Sequence, residues 1–378
     1  MAAQAERAPR RARELGIPLD GRPGRWNAIT DVPGVLVGYA TLIDGDGPLV
    51  PGHGPVRTGV TAILPLGAGH AGRSCPAGWH ALNGNGEMTG TAWLDETGAL
   101  SLPVGITSTH AVGAVHRGII EWSIERNPAL AARWHLPVVA ETWDGYLNDV
   151  NGGHVTPATA VAALDAAASG PLAEGSVGGG TGMNCYGFKG GTGTASRLVR
   201  IGAAGYTVGA LVQANFGSRR ELVVAGRHLG AVLTADNPVE ETDWLAPIGA
   251  GSCITVVATD APLLPGQCKA LARRVPLGLA RTGTTGSHFS GDLFLAFSAT
   301  NAGALDSAIG GPPRGGQLRR IEFVPWGQID PLYEAVVQCA EECVLNVLAA
   351  SRTMVGRDGH RSPGFPVERI GELLSNMG

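Results

Sequence analysis

Strand-like and helix-like segments alternate along most of the chain, and nothing between residues 60 and 350 has the composition of a flexible linker. Together these predict an α/β (α+β) fold in a single compact domain spanning residues 1–378. At 44% hydrophobic and 16% charged residues, the chain can bury a substantial core. Glycine supplies 58 residues, about twice its usual share of roughly 7%, with no collagen period or Ser/Gln-rich tract beside it. Such glycine implies tight turns and close backbone approaches in an ordered protein.

The basic, Pro-containing opening "MAAQAERAPRRARELGIPLDGRPGRW" is expected to be a frayed arm, and "NAITDVPGVLVGYATLI" holds the first strand-like residues. "TGVTAILPLG" (58–67) predicts a buried strand, and Ala68 to Thr91 a long loop. "STHAVGAVHRGIIEWSIERN" (108–127) predicts a helix from its Ser/Thr cap and apolar spacing. "TPATAVAALDAAASG" (156–170) predicts another, with Pro in the first turn and Gly at the end. Between them "LPVVAETWDGYLNDVNGGH" is a strand leaving the core into a polar loop. The middle follows as "SVGGGTGMNCYGFKGGTGTASRLVRI", with "GSVGGGTGMNCYGFKGGTGTAS" (175–196) read as a glycine-rich loop. Then come strands in "YTVGALVQANFG" and "SCITVVATDAP", a helix in "LLPGQCKALARRVPLGLARTG", a strand in "GDLFLAFSAT" and a helix from about Asp330 to Ala350.

Composition excludes several functions. A net charge of −4 provides no basic field for nucleic acid or an anionic membrane. No 18-residue apolar span and no secretory h-region occur. The six cysteines form no CxxC pair. Cys339 and Cys343 share a helical face as a buried reduced pair or, alternatively, a zinc half-site, and a cytoplasmic location fits. The histidines show no HExxH; His70 and His80 share a loop, and His110 and His116 fall on different faces of one helix, so no metal is expected. The glycine-rich run lacks both the strand–turn–helix context of a dinucleotide site and GxxxxGK[ST], so no nucleotide cofactor is expected either.

One doorway remains. "APIGAGSCITVVATDAPL" (246–263) puts Ser252 at the mouth of an apolar, β-branched run. A GxSxG elbow is absent, because the serine runs into a strand rather than a helix. An N-terminal nucleophile wants this arrangement: a small residue before the hydroxyl, so the peptide bond can distort, and a rigid strand to fix position. The α-amine released by self-cleavage, with an ordinary pKa of about 7.7–8.0, is a usable base. Taken alone, Gly-Ser before a strand is also an ordinary turn.

The ordered segments "RARELGIPLDGRPGRWNAITDVPGVLVG", "GVTAILP", "GITSTHAVG", "PVVAETWDGYLND", "EGSVGGGTGMNCYGFKGGTGTASR", "VGALVQANFG", "GSCITVVATDAPLLPGQCKALARRVPLGLARTG" and "SGDLFLAFSAT" cover nearly the whole chain. Through them it resembles the L-aminopeptidase/D-esterase and β-peptidyl aminopeptidase family. The resemblance implies a four-layer α/β/β/α sandwich with an N-terminal-nucleophile-like site and its own chain topology. It also implies self-cleavage between Gly251 and Ser252 into chains 1–251 and 252–378, and assembly as a tetramer of such pairs.

Residue by residue, Ser252 matches the nucleophile, and Ser290 and Asp292 the Ser-Gly-acid element that supports it, the serine contacting the nucleophile and the acid holding that serine and the new amine. Asn215 matches the side-chain amide that binds the oxyanion, and Tyr146 a tyrosine lining the site. Glu141, with Asp144 as alternative, matches the carboxylate that reads a substrate ammonium. Cys253 after the nucleophile departs from the pattern; alternation turns it toward the core. The implied activity is a serine aminopeptidase acting on small peptides, amides and esters with a free amine, whose acyl side is an L-α-, D-α- (in esters) or β-amino acyl group, without a cofactor. Its rivals are an acyltransferase of ornithine-acetyltransferase-like architecture, expected to carry Thr at the position of Ser252, and an uncut non-catalytic relative.

Overall fold

The fold is seen in a computed structural model that describes residues 10–241, 250–307 and 318–375. Its elements open with β1 (Leu36–Asp44), β2 (Val56–Leu64), β3 (Cys75–Ala81), α1 (Thr91–Thr97), β4 (Ala99–Leu100), β5 (Val104–Ser108), α2 (Val112–Arg126), β6 (Val138–Thr142) and α3 (Pro157–Asp165). The middle contains β7 (Asn184–Cys185), β8 (Phe188–Lys189), β9 (Gly191–Ile201), β10 (Ala204–Asn215), α4 (Pro238–Glu241) and β11 (Gly251–Thr259). The last part contains α5 (Pro265–Ala272), α6 (Val275–Ala280), β12 (Ser290–Ser298), α7 (Asp330–Ala350), β13 (Met354–Val355), β14 (Arg361–Ser362) and α8 (Ile370–Ser375).

Two sheets carry the fold, one in the order β1-β2-β5-β6 and one in the order β4-β3-β12-β11-β10-β9. The period of two divides each central strand between two cores. On β11, Ile254, Val256 and Ala258 meet Val37, Ile63, Val104 and Ile106 of the other sheet, whereas Cys253 and Val257 lie with Leu271, Val336, Cys339 and Cys343 under α5 and α7. On the far side of the four-stranded sheet, Val60, Ala62 and Val139 pack against Val115, Ile119 and Trp122 of α2 and Ala160 and Ala163 of α3. Three cores between four layers give the α/β/β/α sandwich.

Local chemistry explains most boundaries. Thr156 caps α3, its hydroxyl accepting from the Thr159 amide, with Pro157 in the first turn. The stretch from 263 to 283, expected as one helix, is two: Pro276 has no N–H to continue the ladder, so α5 stops and α6 restarts around it.

Two segments expected as loops contain strands of the central sheet. β3 lies inside 68–91, and β9 inside the glycine-rich run. Their glycines are there for helices. A Cβ on Gly78 would sit 2.5 Å from the Lys269 amide nitrogen of α5, and one on Gly193 would sit 2.2 Å from the Cys343 carbonyl of α7.

The arm expected to fray is anchored from residue 10 on. Arg11 pairs with Glu174 at 2.7 Å, Arg13 with Glu342 at 2.9 Å, and Ala12 is buried. Residues 1–9 of that arm, and 246–249 of the stretch before Gly251, lie outside the described residues. Among the described residues no helix is long and apolar enough to cross a membrane, no group of three or more His, Cys, Asp and Glu is placed to hold a metal ion, and all six cysteines are free and buried.

Candidate active site

The site forms where three strands of the central sheet begin or end together. β10 runs antiparallel to β11 and pairs Asn215 with Ser252. β12 runs parallel to β11 and pairs Ser290 with Gly251 and Gly291 with Ser252. Antiparallel and parallel neighbours thus bring an amide, a hydroxyl and a Ser-Gly-Asp turn to one edge. Ser252, Ser290, Asp292 and Asn215 are 2%, 1%, 3% and 6% exposed.

Ser252 shares its face of β11 with Ile254, so its hydroxyl opens toward the space between the sheets. Asn215 Nδ2 donates to Ser252 Oγ at 3.3 Å and to the Trp143 carbonyl at 2.9 Å. Asn215 Oδ1 accepts from the Asn184 amide at 2.9 Å, which fixes the side chain with its N–H groups toward the serine. Gly251 cannot be larger where it stands: a Cβ there would lie 2.0 Å from the Asn215 carbonyl oxygen.

Ser290 Oγ donates to Asp292 Oδ1 at 2.7 Å. Register places Asp292 beside Cys253, on the face of the sheet opposite the Ser252 side chain. The pair therefore flanks the backbone of Gly251 and Ser252, and the contact expected between Ser290 and the nucleophile is not made, because the Ser290 hydroxyl is turned to Asp292. Burial pushes the Asp292 carboxyl above its ordinary range, and hydrogen bonds from Ser290 and Asn83 oppose this.

The strap "NGNGE" (83–87) ties this corner to the other sheet. Asn83 grips Asp292 twice, Nδ2 donating to Oδ2 at 2.7 Å and Oδ1 accepting from the backbone amide at 2.6 Å. The Asn85 amide donates to the Ser290 carbonyl at 3.2 Å. Gly86 presses on Gly291, where a Cβ would fall 2.9 Å from the Gly291 Cα and 3.3 Å from Glu141 Oε1. The Glu87 amide then donates to Glu141 Oε1 at 3.0 Å, and Thr109 Oγ1 donates to Glu141 Oε2. Burial raises the Glu141 carboxyl against these two donors.

Ser252, Asn215, Ser290 and Asp292 are thus brought together, and Glu141 reaches them through the strap. Asp144 and Tyr146 occupy the turn after β6 and are engaged elsewhere. Asp144 is fully enclosed, its Oδ1 accepting from Ser108 Oγ at 2.9 Å and from Asn148 Nδ2 at 3.0 Å. The Tyr146 hydroxyl donates to the Arg361 carbonyl at 3.2 Å, and its ring stacks on His360 at 4.9 Å between centroids.

The sequence profile of peptidase family S58 matches residues 27–362. The chain belongs to that family. It is 48% identical to the β-peptidyl aminopeptidase BapA of Sphingosinicella microcystinivorans, over 96% of this chain and 91% of that one. Among solved structures it resembles a Burkholderia sp. β-aminopeptidase (45% identity, TM-score 0.88, covering 98% and 99% of the two chains). It also resembles an L-aminopeptidase D-Ala-esterase/amidase from Ochrobactrum anthropi (43% identity, TM-score 0.88, 97% and 98%), described as a prototype for the serine aminopeptidases and a variant of the Ntn hydrolase fold.

As an S58 peptidase the chain is a serine aminopeptidase, the class expected from its motifs. Sequence reasoning missed Asn83, which holds Asp292 by two hydrogen bonds. The only signal for it was an asparagine-rich turn inside a stretch expected to be loop.

Proposed function

We propose that this S58 peptidase cuts itself between Gly251 and Ser252 and then removes N-terminal aminoacyl residues from small peptides, amides and esters through an acyl-enzyme on Ser252. The observation that carries the reading is the oriented Asn215 amide, 3.3 Å from a buried serine hydroxyl that opens a rigid strand behind a glycine.

In self-cleavage Ser252 Oγ bonds to the Gly251 carbonyl carbon, the C–N bond breaks, and the hydroxyl proton ends on the Ser252 nitrogen. Water then hydrolyses the ester, leaving the Gly251 carboxylate and a free Ser252 amine. In turnover that amine takes the hydroxyl proton as Oγ attacks the substrate carbonyl. Asn215 Nδ2 donates to the developing oxyanion, a term of about 3–4 kcal/mol for a well-placed donor. The proton passes to the leaving group, and water clears the acyl-enzyme.

Ser290 and Asp292 flank the backbone that becomes this amine, which suits them to hold it. Glu141 reads the substrate ammonium; Asp144 is less suited, being enclosed by Ser108 and Asn148. Tyr146 is a site tyrosine only by the family resemblance, since its hydroxyl is turned to the Arg361 carbonyl and its ring to His360. The names of its relatives support a β-aminoacyl, an L-α-aminoacyl or, in esters and amides, a D-alanyl group on the acyl side. Six buried unpaired cysteines suit a cytoplasmic setting, and the family resemblance supports a tetramer of cut pairs.

The test is Ser252→Ala. Intact mass should show wild-type chains ending at Gly251 and beginning at Ser252, and one uncut chain in the variant, with hydrolysis of an amino-acyl p-nitroanilide reduced more than 10³-fold. A wild-type chain that stays whole, or a variant that keeps turning over, would move the nucleophile elsewhere.

A further inference from the structure

Two buried charges have no place in the chemistry above, and both sit behind the Asn215 amide. Lys189, on β8, is completely enclosed. Its ammonium donates to the carbonyls of Met183 at 2.8 Å, Gly190 at 2.9 Å and Gly180 at 3.5 Å, so all three of its N–H groups are spent on the backbone of one glycine-rich loop. Burying a cation without a carboxylate in contact is costly, and burial pulls this ammonium down to about 7 while nearby Cys185 and Asp144 act the other way.

The loop it gathers has one product at the site. Asn184, directly after Met183, turns its amide N–H onto Asn215 Oδ1.

The other half of the amide is held from the opposite side. Asn215 Nδ2 meets the Trp143 carbonyl, and the next residue is Asp144. That carboxyl, pushed up to about 6 by burial against the hydrogen bonds it accepts, anchors the turn through Ser108 and Asn148, and its own carbonyl accepts the amides of Leu147 and Asn148 at 3.1 Å each. The two loops touch: a Cβ on Gly182 would lie 2.7 Å from Asp144 Cβ. Without these clamps, rotation about the terminal torsion of Asn215 could offer its oxygen, an acceptor, to the nucleophile.

We propose that Lys189 and Asp144 are positioning residues for oxyanion binding: the Lys189 ammonium shapes the 180–190 loop so that Asn184 grips Asn215 Oδ1, and the Asp144 turn sets the Trp143 carbonyl against Asn215 Nδ2. Neither touches substrate; both act through Asn215. The proposal rests on Asn215 as the oxyanion donor.

The test is a double-mutant cycle on the full-length chain, with Lys189→Met and Asn215→Ala alone and together. Turnover of an amino-acyl p-nitroanilide is counted per chain carrying Ser252 at a free N-terminus, measured by intact mass. Asn215→Ala is expected to lower kcat about 10²–10³-fold. Lys189→Met should lower kcat at least 10-fold with KM within twofold, and should cost less than twofold more when Asn215 is already alanine.

A merely structural lysine would cost the same factor in both backgrounds, and that result overturns the proposal. An Asn215→Ala enzyme with wild-type kcat would instead remove the oxyanion reading itself, and the proposal with it. Should Lys189→Met fail to fold, Asp144→Asn, nearly isosteric, enters the same cycle under the same criteria.

Discussion

The proposed chemistry asks Asp292 to keep a negative charge in a place that disfavours it. Burial raises its carboxyl, and donors from Ser290 and Asn83 work to bring it back. Asn83→Ala removes a donor that favours the ionised form, so the carboxyl should rise further and the acidic limb of the kcat/KM profile should move to higher pH. Measuring that profile checks it; a limb that stays in place would detach Asp292 from the proton chemistry. At this scale the sequence was legible only where the ordered motifs named a residue. Ser252, Asn215, Ser290 and Asp292 stand together because "VQANFG", "GSCIT" and "SGD" each open or close a strand of one sheet. Asn83 and Lys189 were not legible, since an asparagine in a glycine-rich turn and a lysine between a phenylalanine and a glycine have no local signature. Their partners lie 209 and up to nine residues away in the chain.

Among the elements, β11 shows most directly how packing and chemistry share one glycine. Its first residue, Gly251, lies where β10 leaves no room for a side chain. Gly251→Ala should push the start of β11 away from Asn215 at a cost of about 1–3 kcal/mol. That would also move the Gly251 carbonyl from the reach of Ser252, so self-cleavage followed by intact mass over time should slow at least 10-fold. Cleavage at the wild-type rate would remove the steric role. The same use of glycine hid β3 and β9. Strand patterns are found by alternating bulk, and where a helix rides directly on the sheet, as α5 does at Gly78 and α7 at Gly193, the bulk is missing from the face that would have revealed them. Elements with ordinary side-chain spacing, such as β2, α3 and α7, were legible in outline, whereas the break at Pro276 was missed because apolar spacing continues across it.

Across the whole molecule, one buried carboxylate joins the two predicted chains. Glu342, on α7, accepts from Arg197 at 2.6 Å, Arg13 at 2.9 Å and Asn27 at 2.6 Å, all three from the longer chain. Burial works to raise this carboxyl, but the Arg197 charge, with Arg13 and Asn27, outweighs it and brings it below its ordinary value. A carboxyl lowered in the fold stabilises it above the unfolded pKa of about 4.3, and that stabilisation is lost as pH falls through the lower folded value. Glu342→Gln leaves Arg197 buried without its counter-charge and should cost about 3–5 kcal/mol in denaturant unfolding at neutral pH. An unchanged midpoint would show that the contact contributes little. The sheet order carries a larger consequence. β11 and β12 lie between β3 on one side and β10 on the other, so a cut at Gly251 would leave the shorter chain's two strands threaded through the middle of the longer chain's sheet. Such a pair cannot come apart as subunits do, by parting along a surface; releasing one chain means unzipping hydrogen bonds along both flanks at once. Nor could the shorter chain readily be supplied separately, since alone it would present a two-stranded parallel ribbon with both edges bare, a template for aggregation. One gene producing one precursor is then the practical way to build a two-chain enzyme with this sheet order.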